Sequence, residues 1–218
     1  MFNFSEAFKR LFQRPDFAEE FRKFINQKCK ATIIRYNAKS EDYIDIRDVF
    51  KVTEAQQFEM YAYFQNVVKG ILSNEDKVLA IAKHITNKMK YVGDPTRYGK
   101  PEYWADPYTI FKSWKDDCDG YAVLTCYAWG LVGIPAARRY VAHLDVFYPN
   151  GTFAGGHAPA IYWSETTNEL YAIEGSFYPQ LSWAEFNKIP LRSNERYGQA
   201  RFYTNEQDSY FDIVQFWR

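Results

Sequence analysis

The stretch from residue 115 to 138, KDDCDGYAVLTCYAWGLVGIPAAR, decides how this chain is read. From Cys118 to Gly133 it is apolar nearly all round, the pattern of a helix enclosed by a core rather than of a surface helix with one wet face. Lys115, Asp116 and Asp117 lead into it. Gly133–Ile134–Pro135 closes it, glycine supplying the left-handed stop and proline barring continuation. Its first residue is a cysteine. A thiol in the first turn of a helix faces unpaired backbone N–H groups and the positive end of the helix dipole, and both favour the thiolate, the nucleophilic form. Asp116, Asp117 and Asp119 oppose this by like charge unless they turn away to cap the helix. Cys118 is the candidate nucleophile. Cys126, on the same face as Ala122 and Trp129, and Cys29, at the end of a surface helix, read as packing residues.

A cysteine nucleophile needs a base. Downstream, AARRYVAHLDVFY, the turn pair Asn150–Gly151, GGHAPAIYW, the polar turn SETT and NELYAIEG describe a three-stranded antiparallel meander. His157 opens its second strand after Gly155–Gly156, where missing side chains leave room for another backbone or a substrate to approach. Gly156 is on that ground a candidate substrate contact. His84 belongs to a helix, where a half-exposed position explains it. Hairpin arithmetic tests the choice of His157. A four-residue turn at Ser164–Thr167 pairs Trp163 with Asn168, and counting back sets His157 opposite Glu174, with Cβ atoms roughly 5 Å apart. The count across Asn150–Gly151 pairs His157 with Leu144 and sends His143 and Asp145 to the other face; a slip of one residue would reverse this and bring in Asp145. Glu174 thus supplies the acid that would hold the imidazole tautomer and stabilise its charged form.

Upstream, Thr53 and Gln56 have the spacing of a capping box and open a helix with Phe58, Tyr61, Ala62, Phe64, Val68 and Ile71 expected inward. A second helix follows through Val78, Ile81, Ala82, Ile85 and Met89 to the turn signal Gly93–Asp94–Pro95. Residues 91–117 read as an ordered loop with a short helix capped by Asp106 with Pro107 at its first position; Trp104 within it is a candidate substrate contact, though core packing is the first explanation for both Trp104 and Trp114. Residues 4–29 suggest two Phe-faced helices broken at Pro15, and the segments around residues 31–52 a short hairpin. The organisation expected is an N-terminal extension over 1–52 and one compact unit over 53–218.

With 218 residues the chain lies in the single-domain range, and 27 basic against 27 acidic residues give no net charge to displace counterions from nucleic acid. Aromatic residues, 19% of the chain, exclude disorder and supply the core. Three widely spaced cysteines argue against a disulfide framework, no segment reads as a signal peptide or membrane span, and the expected location is cytoplasmic. The histidines and cysteines show no metal-ligand spacing, so neither metal nor cofactor is expected.

Three ordered blocks, DDCDGYAVLTCYAWGLVGIPAAR, GGHAPAIYW and ELYAIEGSFYP, resemble the transglutaminase-like superfamily of papain-related cysteine enzymes over about residues 75–185. The resemblance implies an α+β fold of papain or transglutaminase type, in which a buried helix carrying the cysteine at its N-terminus packs on an antiparallel meander carrying His and Glu, with additional N-terminal helices. It implies Cys118 as nucleophile, His157 as base and Glu174 in the place of the family's usual Asp. Pro159 stands where the family often has Trp, and a proline within a strand implies an edge or a broken ladder. The activity implied is hydrolysis of a peptide-like carboxamide through a thioester, by a peptidase or amidase. Asp117–Cys118–Asp119–Gly120 is also similar to the NlpC/P60-like cell-wall peptidases, which keeps peptidoglycan peptide beside other peptides and proteins as a candidate substrate. Acyl transfer to an amine is the alternative reaction, and a non-catalytic interaction module the alternative class.

Overall fold

The computed structural model describes residues 43–148, 150–176, 197–205 and 215–217. The Phe-rich N-terminal segment, Cys29, the first strand of the expected hairpin and the helix expected at 182–187 lie outside these residues. Strand β1 (Tyr43–Asp45) pairs antiparallel with β9 (Gln215–Trp217), and a 3-10 turn over Ile46–Phe50 replaces the continued strand expected there.

Helix α1 (Glu54–Val67) starts at the expected capping box: Gln56 N–H donates to Thr53 Oγ1 at 3.3 Å and Thr53 N–H to Gln56 Oε1 at 2.8 Å. Its buried stripe is Met60, Phe64 and Val68 with Tyr63 and Val67 beside it, whereas Phe58, 71% exposed, and Tyr61, 46% exposed, face outward, contrary to expectation. The helix carries apolar residues on two faces, and the one offering an unbroken i, i+4, i+7 run is the one that packs. Helix α2 (Asn74–Lys88), capped by Ser73, buries the expected Val78, Ile81, Ala82 and Ile85. After β2 (Lys90–Tyr91) and the short α3 (Asp94–Arg97), Asp106 caps α4 (Pro107–Ser113) by accepting from the N–H groups of Tyr108 and Thr109. Strand β3 (Lys115–Asp116) lies parallel to β2 and delivers the chain into α5 (Cys118–Leu131), the central helix, which α1, α2 and α4 pack around.

The α5 stop follows the sequence: Gly133 takes a φ of +92° and Ile134 N–H returns to the Trp129 carbonyl at 2.9 Å. Gly130 is needed for another reason. A Cβ there would fall 2.4 Å from Arg139 Nη2, and the Arg139 guanidinium is buried against this turn, donating to the carbonyls of Ile134 and Cys126.

The meander is present, with two refinements. Strand β4 (Arg139–Phe147) pairs with β5 (Phe153–His157) through Leu144↔His157 and with β6 (Ala160–Trp163) through Val141↔Ala160. These pairings share one register, so β5 and β6 are one strand on one edge of β4, interrupted at Ala158–Pro159, where Pro159 has no N–H to give. The Pro159 carbonyl still accepts from Ala142 N–H at 3.1 Å. Strand β7 (Leu170–Ile173) follows on β6, and β8 (Tyr197–Thr204) covers the other edge of β4. The fold is α+β, a helical layer around α5 against an antiparallel sheet.

The β6–β7 register differs from the arithmetic. Trp163 pairs with Leu170 rather than Asn168, because the turn extends to Glu169: Ser164 N–H donates to the Glu169 carbonyl, and Asn168 sits at a φ of +55°. The shift is two residues, a full period of the strand, so every side chain keeps its face.

Candidate active site

His157 ends β5 and Glu174 follows β7, so both emerge beside the break in the sheet. The His157 Nε2 to Glu174 Oε2 distance is 2.7 Å, with the side chains 2% and 1% exposed. The pair inferred from hairpin counting is brought together. Cys118 is the first residue of α5; its N-cap Asp117 makes no side-chain cap bond, and the residue as a whole is partly buried. The backbone N–H of Ala158, the residue after His157, hydrogen-bonds the Cys118 sulfur. Helix start and sheet break therefore meet at the thiol.

The electrostatics reverse one expectation. The Cys118 thiol is pushed well above the ordinary value, first by burial and then by the negative charges of Asp117 and Asp119, with Glu102 adding to them; the Ala158 N–H pulls the other way without prevailing. The helix end does not by itself make a thiolate here. The aspartates do not simply turn away. Asp116, fully buried, accepts from Asp117 N–H and from the Tyr98 hydroxyl and lies 3.2 Å from Arg97 Nη1, yet burial still raises it to about 6. Asp94, which opens α3 and accepts from Tyr103 N–H, is raised to about 8 by burial and by Asp117. Asp119 is likewise raised well above the usual carboxylate range, by burial and then by Asp117 and Asp116.

Asp94, Asp116, Asp117 and Asp119 each place an oxygen within 4.8 Å of the others. Both oxygens of Asp119 and Oδ1 of Asp94 are buried and meet no hydrogen-bond donor among the described residues. The spacing of His and Cys in the sequence does not reveal this carboxylate nest, because its ligand atoms are aspartate oxygens and Asp94 reaches Asp116 only through the parallel β2–β3 pairing. Gly120 seats the nest: a Cβ there would fall 2.2 Å from the Asp116 Cβ, so only glycine lets the first turn of α5 pass over that side chain.

Three other candidates fall differently. Trp104 is 1% exposed, donates its indole N–H to Glu102 and meets the edge of His143, so it backs the site without facing a ligand. Gly156 is exposed, but the close approach it permits is that of His143, whose Nε2 would lie 2.5 Å from a Cβ. His84 is held by the Tyr63 hydroxyl at 2.8 Å. Tyr91, missed in the sequence, is 59% exposed, and its phenol is held protonated by partial burial and then by Cys118, Asp117 and Asp119.

Against protein families, the model described as the transglutaminase-like superfamily matches residues 61–186, more than half of the chain. The chain belongs to the transglutaminase-like superfamily. No curated protein matches it. Among solved structures, Legionella pneumophila LapG is similar at a TM-score of 0.54 and 11% identity, over 78% of this chain and 90% of that one. Its calcium-bound form gives 0.53 and 10%, over 78% and 88%. A looser similarity, TM-score 0.41 and 15% identity over 70% of this chain and 47% of the other, is to a Cytophaga hutchinsonii protein assigned as a cysteine protease without proof of activity. The superfamily match spans α2, α5, His157 and Glu174, the elements that build the site. Among the described residues no helix is long and apolar enough to cross a membrane.

Proposed function

We propose that this chain is a cysteine-nucleophile hydrolase of peptide-like carboxamides in a protein or peptide substrate, with Cys118 as nucleophile, His157 as general base and acid, and Glu174 as the orienting acid. The observation that carries this reading is the buried 2.7 Å pair of His157 and Glu174 beside a helix-initial cysteine. With Nε2 committed to Glu174, Nδ1 is the nitrogen that exchanges a proton with the thiol. The raised thiol makes that transfer part of catalysis: the Cys118 proton passes to His157 as sulfur attacks the carbonyl carbon. Glu174 then balances the imidazolium. On this reading the oxyanion lies at the start of α5, where first-turn N–H groups have no partner within the helix, and the Tyr91 hydroxyl, kept protonated and near enough to Cys118 to feel its charge, is the candidate second donor. Collapse sends the proton from His157 to the leaving amine and leaves a thioester. Water, deprotonated by the same imidazole, releases the acid and restores the thiol.

LapG has been seen with calcium bound, and the residues here suit such a cation. Calcium takes several carboxylate oxygens, and the nest offers buried oxygens of Asp119 and Asp94 that meet no donor among the described residues, with Asp117 beside them. Asp94, Asp117 and Asp119 would hold it, while Asp116 stays engaged by Arg97. The ion would supply positive charge that lets these carboxylates ionise together and relieves their repulsion of a thiolate.

Intact-mass analysis after incubation with a peptidyl vinyl sulfone tests the enzymatic reading. One adduct on Cys118, lost in Cys118→Ala, is expected. Equal modification of Cys126, or an unchanged adduct in Cys118→Ala, defeats it.

A further inference from the structure

Glu174 uses only half of its carboxylate on His157. Its second oxygen, Oε1, is buried and meets no hydrogen-bond donor among the described residues. An unsatisfied carboxylate oxygen inside a protein is costly, so a partner is required. Beside Glu174 lies a cavity of about 10 Å³, open to the centre of a water molecule, whose lining includes the apolar Ala122, Ala158 and Ala160 and the hydroxyl-bearing Thr86, Thr125 and Ser176. That volume is at the threshold for one water, which also needs two to four polar partners. Glu174, Thr86, Thr125 and Ser176 are the polar side chains of the lining that can meet that requirement. Gly175 keeps the wall close: a Cβ there would fall 2.9 Å from Thr86 Oγ1 and 2.8 Å from the Tyr121 ring.

We propose that this cavity is a binding site for a single ordered water that donates to Glu174 Oε1 and is held by Thr125 on α5 and Thr86 on α2, and that Thr125, 5% exposed, is a positioning residue for the His157–Glu174 pair. The inference rests on the triad reading above. Held at Oε2 alone, the carboxylate can swing about its last torsion; held at both oxygens, it stays in the plane that meets Nε2. Thr125 lies on the same helix as Cys118, so the water ties the acid of the triad to the helix that carries the nucleophile.

The test pairs a structure with kinetics. A crystal structure of the full chain at about 1.5 Å should show one water within hydrogen-bond reach of Glu174 Oε1 and a threonine hydroxyl. A dry cavity overturns the site. Inactivation by the peptidyl vinyl sulfone should fall about tenfold in Thr125→Val through the inactivation rate, with the binding constant unchanged, a loss of the size of one buried hydrogen bond. Thr125→Ser, which keeps the hydroxyl, should stay within twofold of the parent protein. Equal rates for parent and Thr125→Val overturn the positioning role, as does failure of Ser to restore the rate, which would make the effect one of packing. Glu174→Gln separates the two readings. If it leaves the rate unchanged while the water is seen, the triad assignment fails and the positioning role fails with it; if it slows the reaction while Thr125→Val does not, only the present inference fails.

Discussion

Replacing Glu174 by glutamine removes one charge and almost no volume, so its effect isolates what the carboxylate does for His157. At 2.7 Å and an effective dielectric of about 20, the gross attraction between an imidazolium and this carboxylate is about 6 kcal/mol. Desolvation of two groups that are 2% and 1% exposed offsets part of it, and loss of one partner of such a buried pair costs about 3–5 kcal/mol. In the proposed mechanism the Cys118 proton arrives on His157 as sulfur attacks, so the loss falls on the transition state. It converts to a fall of roughly 10²- to 10⁴-fold in rate. Glutamine can still accept from Nε2–H and keep the ring oriented, which places Glu174→Gln towards the lower end and Glu174→Ala towards the upper. The assay is the second-order rate of Cys118 modification by the peptidyl vinyl sulfone at neutral pH, with the site mapped by mass spectrometry and folding checked by thermal melting. A folded Glu174→Gln protein that reacts within threefold of the parent would refute the role given to this pair.

The carboxylate nest yields three further outcomes. Asp94, raised to about 8, and Asp116, raised to about 6, keep protons in the folded chain that the unfolded chain releases near 3.8. The folded state therefore binds more protons across that window, and stability should fall as pH rises from about 4 to about 8 in the absence of divalent cations. Asp94→Asn should flatten the slope of melting temperature against pH; a slope of opposite sign in the parent protein contradicts the reasoning. With chelator present, iodoacetamide labelling of Cys118 should keep accelerating beyond the pH range of an ordinary thiol, because burial and Asp117 raise it, and a plateau already reached by pH 7 would show that the carboxylates do not govern it. Calcium should raise the melting temperature, by about 2.7 kcal/mol of stability at a hundredfold excess over its dissociation constant, and Asp119→Asn should abolish the gain. No shift in the parent protein at millimolar calcium would remove the cation from the reading.

The errors in the sequence reading show why the pair was legible and the nest was not. The β6–β7 register was misjudged by two residues because the turn takes in Glu169, yet His157 and Glu174 still meet: strand side chains repeat every second residue, and a slip of two leaves both on one face. A slip of one would have separated them, so the chemistry was protected by a parity that the burial pattern of the meander enforces. On α1 no such protection existed, since apolar residues occupy both faces, and Phe58 and Tyr61 were assigned inward although they face out. The nest depends on the two-residue parallel pairing of β2 with β3, which sets Tyr91 beside Asp116 and brings Asp94 across. Nothing in so short a pairing has a period to read. The run Asp116–Asp117–Cys118–Asp119 was visible as a conflict, three acids around a thiol said to be activated. That conflict was itself a signal. A nucleophile set among carboxylates of which Asp119, and one oxygen of Asp94, meet no donor among the described residues needs either protons or a cation to stabilise them, and the choice between the two sets the pH at which Cys118 can react.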